Sequence, residues 1–591
     1  MRDELPGDGR GDGRGALPVA APRARERRRA PAALLLAAGL CALLVFLPIA
    51  YTVYRAATFG WDDTLDLLFR PLVGELLVNT ALITVSATLA SAVIGTACAW
   101  FVERSRLPGR RAWAALTVAP LAMPAFVTSY AWVSLSLELQ DFAGALLVIT
   151  TAYFPLVYLP VAAALRGMDP ALEESARALG CGPVAVFTRV VLPQLRPALL
   201  GGMLLVALGV LSEFGAFTLL RFRTFTTQIY AVYRTSFDGG GASIFACLLI
   251  VVCLVCLALE MRVRGAARYE RLDRGARRVA LRYELGRAKW LVVAGFAVWS
   301  MVTLGVPLGM IGYWLTQSGA AAVTPAEVSP QLLFDATCAS LGYGVAAAVV
   351  TTLLCVPLAF MLVRFPTRLA TVFERTVFLA QGIPSLVIAL AIVSLAVHAV
   401  RPLYQSATLL VLAYAILFMP LALVSVRAAI TQAQPRLEET ARALGLNWAQ
   451  TAWRVLLPLA APGLGAGATM VFIAVVTELN STLLLSPIGT QTLATQVWTD
   501  TATLAFAAAA PYAALLVGIS LLGSVVLFAL LGRSAVKGGG AGATVAAGVA
   551  QAIGALDDAP ADGSNDELHD GPHLARHDER NGPKPGTQGT A

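Results

Sequence analysis

Two glutamates stand where a carboxylate is unfavourable. Glu213 in LSEFGAF and Glu478 in VTELNST each interrupt a long apolar stretch, and an ionised side chain at the centre of a bilayer costs roughly 3 kcal/mol on insertion scales. Such groups can line a path and attract a cation, or accept hydrogen bonds from neighbouring helices and hold them together without meeting a ligand. Residue type leaves both roles open. A second pair of sites is longer: LEESARALG, from Leu172 to Gly180, and LEETARALG, from Leu437 to Gly445, are nearly identical and 265 positions apart. As helices they place Leu172, Ala176 and Leu179 on one face and bring Glu173 to Arg177 at i+4, with Leu437, Ala441, Leu444, Glu438 and Arg442 repeating the arrangement.

Other chemistries are poorly represented. No G-x-x-x-x-G-K-[ST] occurs, and Lys289, Lys537 and Lys584, the only lysines, stand in settings that cannot form a phosphate loop. The chain therefore carries no ATPase site of its own. Neither H-E-x-x-H nor G-x-S-x-G is present. Cys253 and Cys256 lie among Val and Leu without His or acidic neighbours, so they read as packing residues rather than metal ligands, and the other six cysteines are scattered. His398 ends an apolar run, and His569, His573 and His577 sit in a polar tail. No resident metal, cofactor or catalytic residue is expected.

The elements that must position these residues follow from composition. With 57% hydrophobic and 14% charged residues and a mean hydropathy of +0.71, the chain is too apolar for an ordinary soluble protein. Largely uncharged runs predict twelve helical spans near 33–55, 75–102, 113–136, 143–165, 197–220, 242–261, 290–315, 337–363, 375–398, 406–426, 462–486 and 505–531. Continuous rather than alternating apolarity excludes a barrel. The basic segments RARERRR (23–29), ERSRLPGRR (103–111) and 261–289 all fall on one side of this topology, which the positive-inside rule makes cytoplasmic along with both termini. The net charge of +8 thus records topology rather than a nucleic-acid surface. The first apolar run exceeds a signal-peptide core and is read as a retained helix.

A fixed offset organises the chain into halves. Pro155 and Pro420, Pro170 and Pro435, Glu174 and Glu439, Gly180 and Gly445, Pro193 and Pro458, Glu213 and Glu478 are each 265 apart, while Pro124 and Pro384 are 260 apart and TTQIY (226–230) resembles ATQVW (494–498) at 268. Six spans per half make the repeats parallel, related by an axis along the membrane normal. The expected organisation is a basic, disordered N-terminus at 1–31, a first repeat at 32–265, a basic cytoplasmic linker at 266–289, a second repeat at 290–532 and a disordered tail at 533–591. Each charged segment follows the fourth span of its half. Pro170 and Pro435 suit the first turn of its helix, Gly180 and Gly445 suit a left-handed end, and a second short helix is expected to run to Pro193 or Pro458. The spacing admits two readings: an amphipathic element lying on head groups or on its own bundle, or two equivalent knobs for a two-fold partner.

The run Glu174-Ser175-Ala176, three residues, Gly180, nine residues, Val190-Val191-Leu192-Pro193 resembles the EAA loop of binding-protein-dependent ABC importer permeases. Glu439-Thr440-Ala441, Gly445 and Val455-Leu456-Leu457-Pro458 match it at the same spacing, with Ser175 and Thr440 where alanine is common. The resemblance covers about 75 to 531, and LSEFGAFTLLRFRTFTTQIY (211–230) with VTELNSTLLLSPIGTQTLATQVW (476–498) look like fused ferric iron permeases. It implies an all-α polytopic membrane protein with the type I ABC importer permease fold, two copies of a cytoplasmic ABC ATPase pressing on coupling helices at 170–193 and 435–458, an extracytoplasmic substrate-binding protein, and a bacterial inner membrane. Glu174, Ala176, Gly180, Pro193, Glu439, Ala441, Gly445 and Pro458 would form the coupling sites. The segments 221–241 and 487–503 would lie where the binding protein docks, and Arg221, Arg223 and Arg234 would meet acidic residues on it or else bind lipid head groups. Thiamine, phosphonate, sulfate and polyamine importers share the architecture, and a gradient-driven secondary transporter is the rival from another class.

Overall fold

The computed structural model describes residues 30–169, 171–236, 239–264, 282–317, 329–433 and 435–538. Pro170, the basic run at 23–29, linker residues 265–281 and the tail from 539 lie outside them. Among the described residues ten helices are long and apolar enough to cross a membrane, and two bent pairs raise the number to twelve if each pair is one span. The only β-type pairing there is an isolated bridge between Ser105 and Tyr283. The last helix, Phe506–Gly538, runs a few residues into the region expected to be tail.

Two expected spans are not straight. The runs 113–136 and 375–398 fold as Arg110–Ala122 with Ala125–Leu135, bent by 93°, and Arg368–Gly382 with Ser385–Ala399, bent by 107°. The bends centre on Pro124 and Pro384, the pair already matched at offset 260. Proline lacks the donor a continuing helix needs and drives its predecessor out of the helical region, and Met123 and Ile383 are accordingly extended. The fifth span of each half also departs from expectation. Helix Leu192–Ser212 stops one residue before Glu213, and Leu457–Val476 stops two before Glu478. Each resumes only as a short helix, Gly215–Leu219 or Asn480–Leu485. Both glutamates therefore sit in helix breaks rather than inside continuous spans.

At the other end of these helices the difference runs the opposite way. No separate short helix stops at Pro193 or Pro458. Single π turns at Phe187–Val191 and Ala452–Leu456 carry the chain directly into the fifth spans, with each proline in the first turn beyond. The wider π spacing absorbs a proline that would otherwise break the rod.

The halves interlock. Span Ala32–Ala57 packs on the second repeat, where the Cys41 thiol meets the Leu354 carbonyl at 3.1 Å and Gly39 lies against Phe373. Span Gly286–Thr316 reciprocates on the first repeat through Trp113 with Phe296 at 5.7 Å and Phe154 with Trp299 at 5.4 Å. Within the first repeat, small residues let three spans meet at backbone distance. A Cβ on Gly95 would come within 2.9 Å of the Phe154 carbonyl oxygen, and one on Gly202 within 2.8 Å of Val157 Cα.

Because the obstructing atoms are backbone, these contacts cannot yield by a rotamer change. Gly95→Val or Gly202→Val should lower stability by about 1–3 kcal/mol, read as a depressed thermal midpoint in detergent. Gly74→Val, at a position with open space around it, should leave the midpoint unchanged.

Candidate functional site

The first charged helix, Ala171–Ala178, buries its polar side. Glu173 is buried and forms an ion pair with Arg104 at 2.8 Å, while Arg177 approaches the same carboxylate at 3.5 Å. Arg104 closes the long span Pro71–Arg104 and is itself only 2% exposed. The second copy, Pro435–Ala443, does the same: Arg364, 260 residues after Arg104 and closing Pro330–Arg364, grips Glu438 through Nε at 2.9 Å and Nη2 at 2.6 Å, with Arg442 at 3.6 Å. Arg364 Nη2 also donates to the Ala433 carbonyl at 2.7 Å. Burial pushes the Glu173 carboxyl up from its ordinary range, against the pull of Arg104 and Arg177.

This pairing decides which face is left over. Leu172, Glu174, Ser175 and Leu179 are exposed in the first copy, and Leu437, Glu439, Thr440 and Leu444 in the second. Leu179 and Leu444 are 85% and 79% exposed, so the leucines face away from the bundle. Ala176 is half-buried and Ala441 buried. Both helices end as expected, with Gly180 at φ +82° and Gly445 at φ +87°. The next amides close the cap, Cys181 N–H to Ala176 at 3.0 Å and Leu446 N–H to Ala441 at 3.1 Å. From there the unbroken rod Val184–Ser212, 29 residues and about 44 Å long, runs to Glu213.

At the far end of the rods the two carboxylates organise the breaks. Glu213 accepts from the Tyr153 hydroxyl at 2.7 Å and the Ala216 amide at 2.9 Å, and its carbonyl accepts from Thr226 at 2.6 Å. Glu478 accepts from the Ser481 amide at 3.1 Å and hydroxyl at 3.3 Å, and its carbonyl from Thr482 at 2.6 Å. The breaks meet across the pseudo-two-fold axis. The Asn480 amide donates to the Ser212 carbonyl at 3.4 Å, and a Cβ on Gly215 would fall 2.6 Å from Leu479. Both glutamates are half-buried and keep some accessible surface.

Beyond the breaks, matching helices Phe225–Ser236 and Leu493–Ala502 are held by matching bonds. The Phe225 and Leu493 amides donate to Thr80 and Ser340 hydroxyls at 3.2 and 2.8 Å. The ends of the matched motifs TTQIY and ATQVW, Tyr230 and Trp498, stack edge to face at 6.2 Å, with Phe214 4.6 Å from the tyrosine. Arg221, Arg223 and Arg234 are all exposed on this side, Arg234 lying 5.9 Å over the Tyr230 ring. Among the described residues no group of three or more His, Cys, Asp or Glu side chains is arranged to hold a metal. Sequence reasoning did not single out Arg104 and Arg364. Arg104 was counted as a topological charge, and the available signal was the 260 offset linking it to Arg364.

Comparison with known proteins covers both halves. The profile of the family described as binding-protein-dependent transport system inner membrane component matches residues 66–263 and 356–534. The Fe(3+)-transport system permease protein FbpB 2 of Haemophilus influenzae is 35% identical over 492 residues, 83% of this chain and 96% of that protein. The sulfate transport system permease proteins CysT of Salmonella typhimurium and Escherichia coli are each 29% identical over 236 residues, 36% of this chain and 85% of theirs.

The Arg104–Glu173 pair is tested by removing one partner or both. Arg104→Ala leaves a buried carboxylate uncompensated and should cost about 3–5 kcal/mol, whereas Arg104→Met with Glu173→Leu should recover most of it. Thermal midpoints of the two variants that coincide would show that the charges are not coupled.

Proposed function

The chain belongs to the binding-protein-dependent transport system inner membrane component family, and from that premise we propose that it is the permease of an ATP-driven importer whose cargo is ferric iron. It sits in a bacterial inner membrane with both termini cytoplasmic. Two copies of a separate ABC ATPase press on the charged helices, and an extracytoplasmic binding protein delivers cargo to the opposite face. The observation that carries this reading is the pair of matched helices that bury Glu173 and Glu438 and turn Leu172, Leu179, Leu437 and Leu444 outward. Exposed leucines beside exposed Glu174 and Glu439, duplicated about a two-fold axis, suit a two-fold protein partner better than the surface of the chain's own bundle.

Force applied at Glu174 or Glu439 travels through the left-handed glycine into a rod without a hinge and arrives at the axial break. There Glu213 and Glu478 both line the path and hold its gate, since each carboxylate caps a short helix and neither residue is fully buried. Tyr230, Trp498 and Phe214 close the path on the outer side. Iron is favoured as cargo because likeness to the Fe(3+) permease extends over 83% of this chain, against 36% for the sulfate permeases.

Uptake of radiolabelled Fe(3+) and sulfate into proteoliposomes, reconstituted with an ABC ATPase subunit and a substrate-binding protein, tests the assignment. ATP-dependent iron accumulation is expected, and sulfate accumulation without iron would overturn the cargo. Leu179→Glu with Leu444→Glu should abolish both uptake and ATPase co-purification at an unchanged melting temperature. Uptake that persists would remove the coupling role. Glu213→Gln with Glu478→Gln retains acceptor oxygens for the capping amides, so it should fold and dock the ATPase yet lower uptake about tenfold or more. Unfolding of this variant would limit both residues to a structural role.

A further inference from the structure

Residues 282–284, ahead of the seventh expected span, form a short strap. Tyr283 donates its amide to the Arg104 carbonyl at 2.8 Å and accepts from the Arg106 amide at 3.0 Å, which lays residues 282–284 along the end of span Pro71–Arg104. Gly286, at φ +53°, then turns the chain through Gly286–Ala288 into Lys289, where the next membrane helix begins. Between the strap and the Arg106–Pro108 turn lies an open cavity of about 470 Å³, lined by Arg106, Leu107, Pro108, Arg282, Lys289 and Trp290.

Its charge is one-sided. Arg106 is paired with Glu284 at 2.5 Å. Arg282 and Lys289 have no carboxylate partner among the described residues, and Lys289 instead lies 5.6 Å over the Trp290 ring. Two uncompensated cations therefore face one cavity. The cavity also has a membrane address. It sits where spans Pro71–Arg104 and Gly286–Thr316 end, and the second of these is the least covered of the ten, with 17% of its apolar window buried inside the protein. Trp290 and Leu291 at its mouth are 64% and 77% exposed. A tryptophan beside basic side chains at a helix end matches the depth of lipid head groups, where the indole is half in hydrocarbon and the cations meet phosphate.

We propose that this cavity seats the phosphodiester head group of an anionic phospholipid, with Arg282 and Lys289 on the phosphate, Trp290 at the glycerol level and the acyl chains along Gly286–Thr316. The site lies apart from the charged-helix and axial residues of the transport reading and does not depend on the cargo. Free inorganic phosphate offers the same anionic oxygens, but it lacks the chains for which the exposed helix provides a surface.

The test uses the full-length protein purified in detergent and returned to phosphatidylcholine nanodiscs with or without phosphatidylglycerol. Lipid retained per chain after a detergent wash is counted by native mass spectrometry. Wild type should retain phosphatidylglycerol over phosphatidylcholine, and inorganic phosphate should not displace it. Arg282→Gln with Lys289→Gln should weaken retention about 30-fold and either single change about fivefold. Arg368→Gln, an exposed arginine elsewhere, should leave it intact. Thermal midpoints in phosphatidylcholine alone should match for all variants, so that loss of lipid is separable from loss of fold. Equal retention by the double variant, no preference for phosphatidylglycerol, or displacement by inorganic phosphate would each overturn the proposal.

Discussion

A buried arginine gripping a buried glutamate at the charged-helix end of each half is the constraint on which the rest of this architecture depends. Arg104 with Glu173 and Arg364 with Glu438 turn two short polar helices so that Glu173 and Glu438 face the bundle while the leucines, with Glu174 and Glu439, face away. Desolvating both charges is costly, and the pair is tolerated because each carboxylate meets a second arginine from its own helix. Without that anchor the amphipathic rule would send the leucines inward, and the outward surface would be an ordinary polar loop.

The same logic of satisfied polar groups governs the middle of the membrane. A helix that stops inside hydrocarbon exposes amides and carbonyls that no water can pair. Here each break supplies its own remedy, as a glutamate caps the short helix that follows and a threonine hydroxyl pairs the carbonyl left behind. The remedies are not identical. Tyr153 donates to Glu213, whereas the position 265 residues on is Phe418, and Glu478 is served by the Ser481 and Ser385 hydroxyls. The two halves are thus alike in backbone and unlike in the hydrogen bonds around their carboxylates, which makes the two sides of the pseudo-two-fold axis chemically distinct.

Exchange of the first span of each half across the axis makes the repeats one mechanical body. The rod Val184–Ser212 joins the first charged helix to packing shared by both halves, ending where Ser212 meets Asn480 and Gly215 meets Leu479. Close approach at Gly95 and Gly202 holds the surrounding spans at backbone contact.

Much of this was legible in the sequence. Hydropathy placed the spans, the 265 offset disclosed the repeat, and LEESARALG with LEETARALG marked the two inner helices and their left-handed glycines, since length, periodicity and φ > 0 are local properties of the chain. Hydropathy could not distinguish a straight span from one bent at Pro124 or Pro384, because bending changes the path and not the composition. It placed Glu213 and Glu478 inside continuous spans for the same reason. Which face of a charged helix is buried, that Arg104 is a clamp and not merely a topological charge, and that Tyr230 meets Trp498 were decided only by tertiary structure. Each depends on residues dozens to hundreds of positions apart being brought within a few ångströms, and the free energy of such contacts resides in the pair rather than in either residue's local sequence.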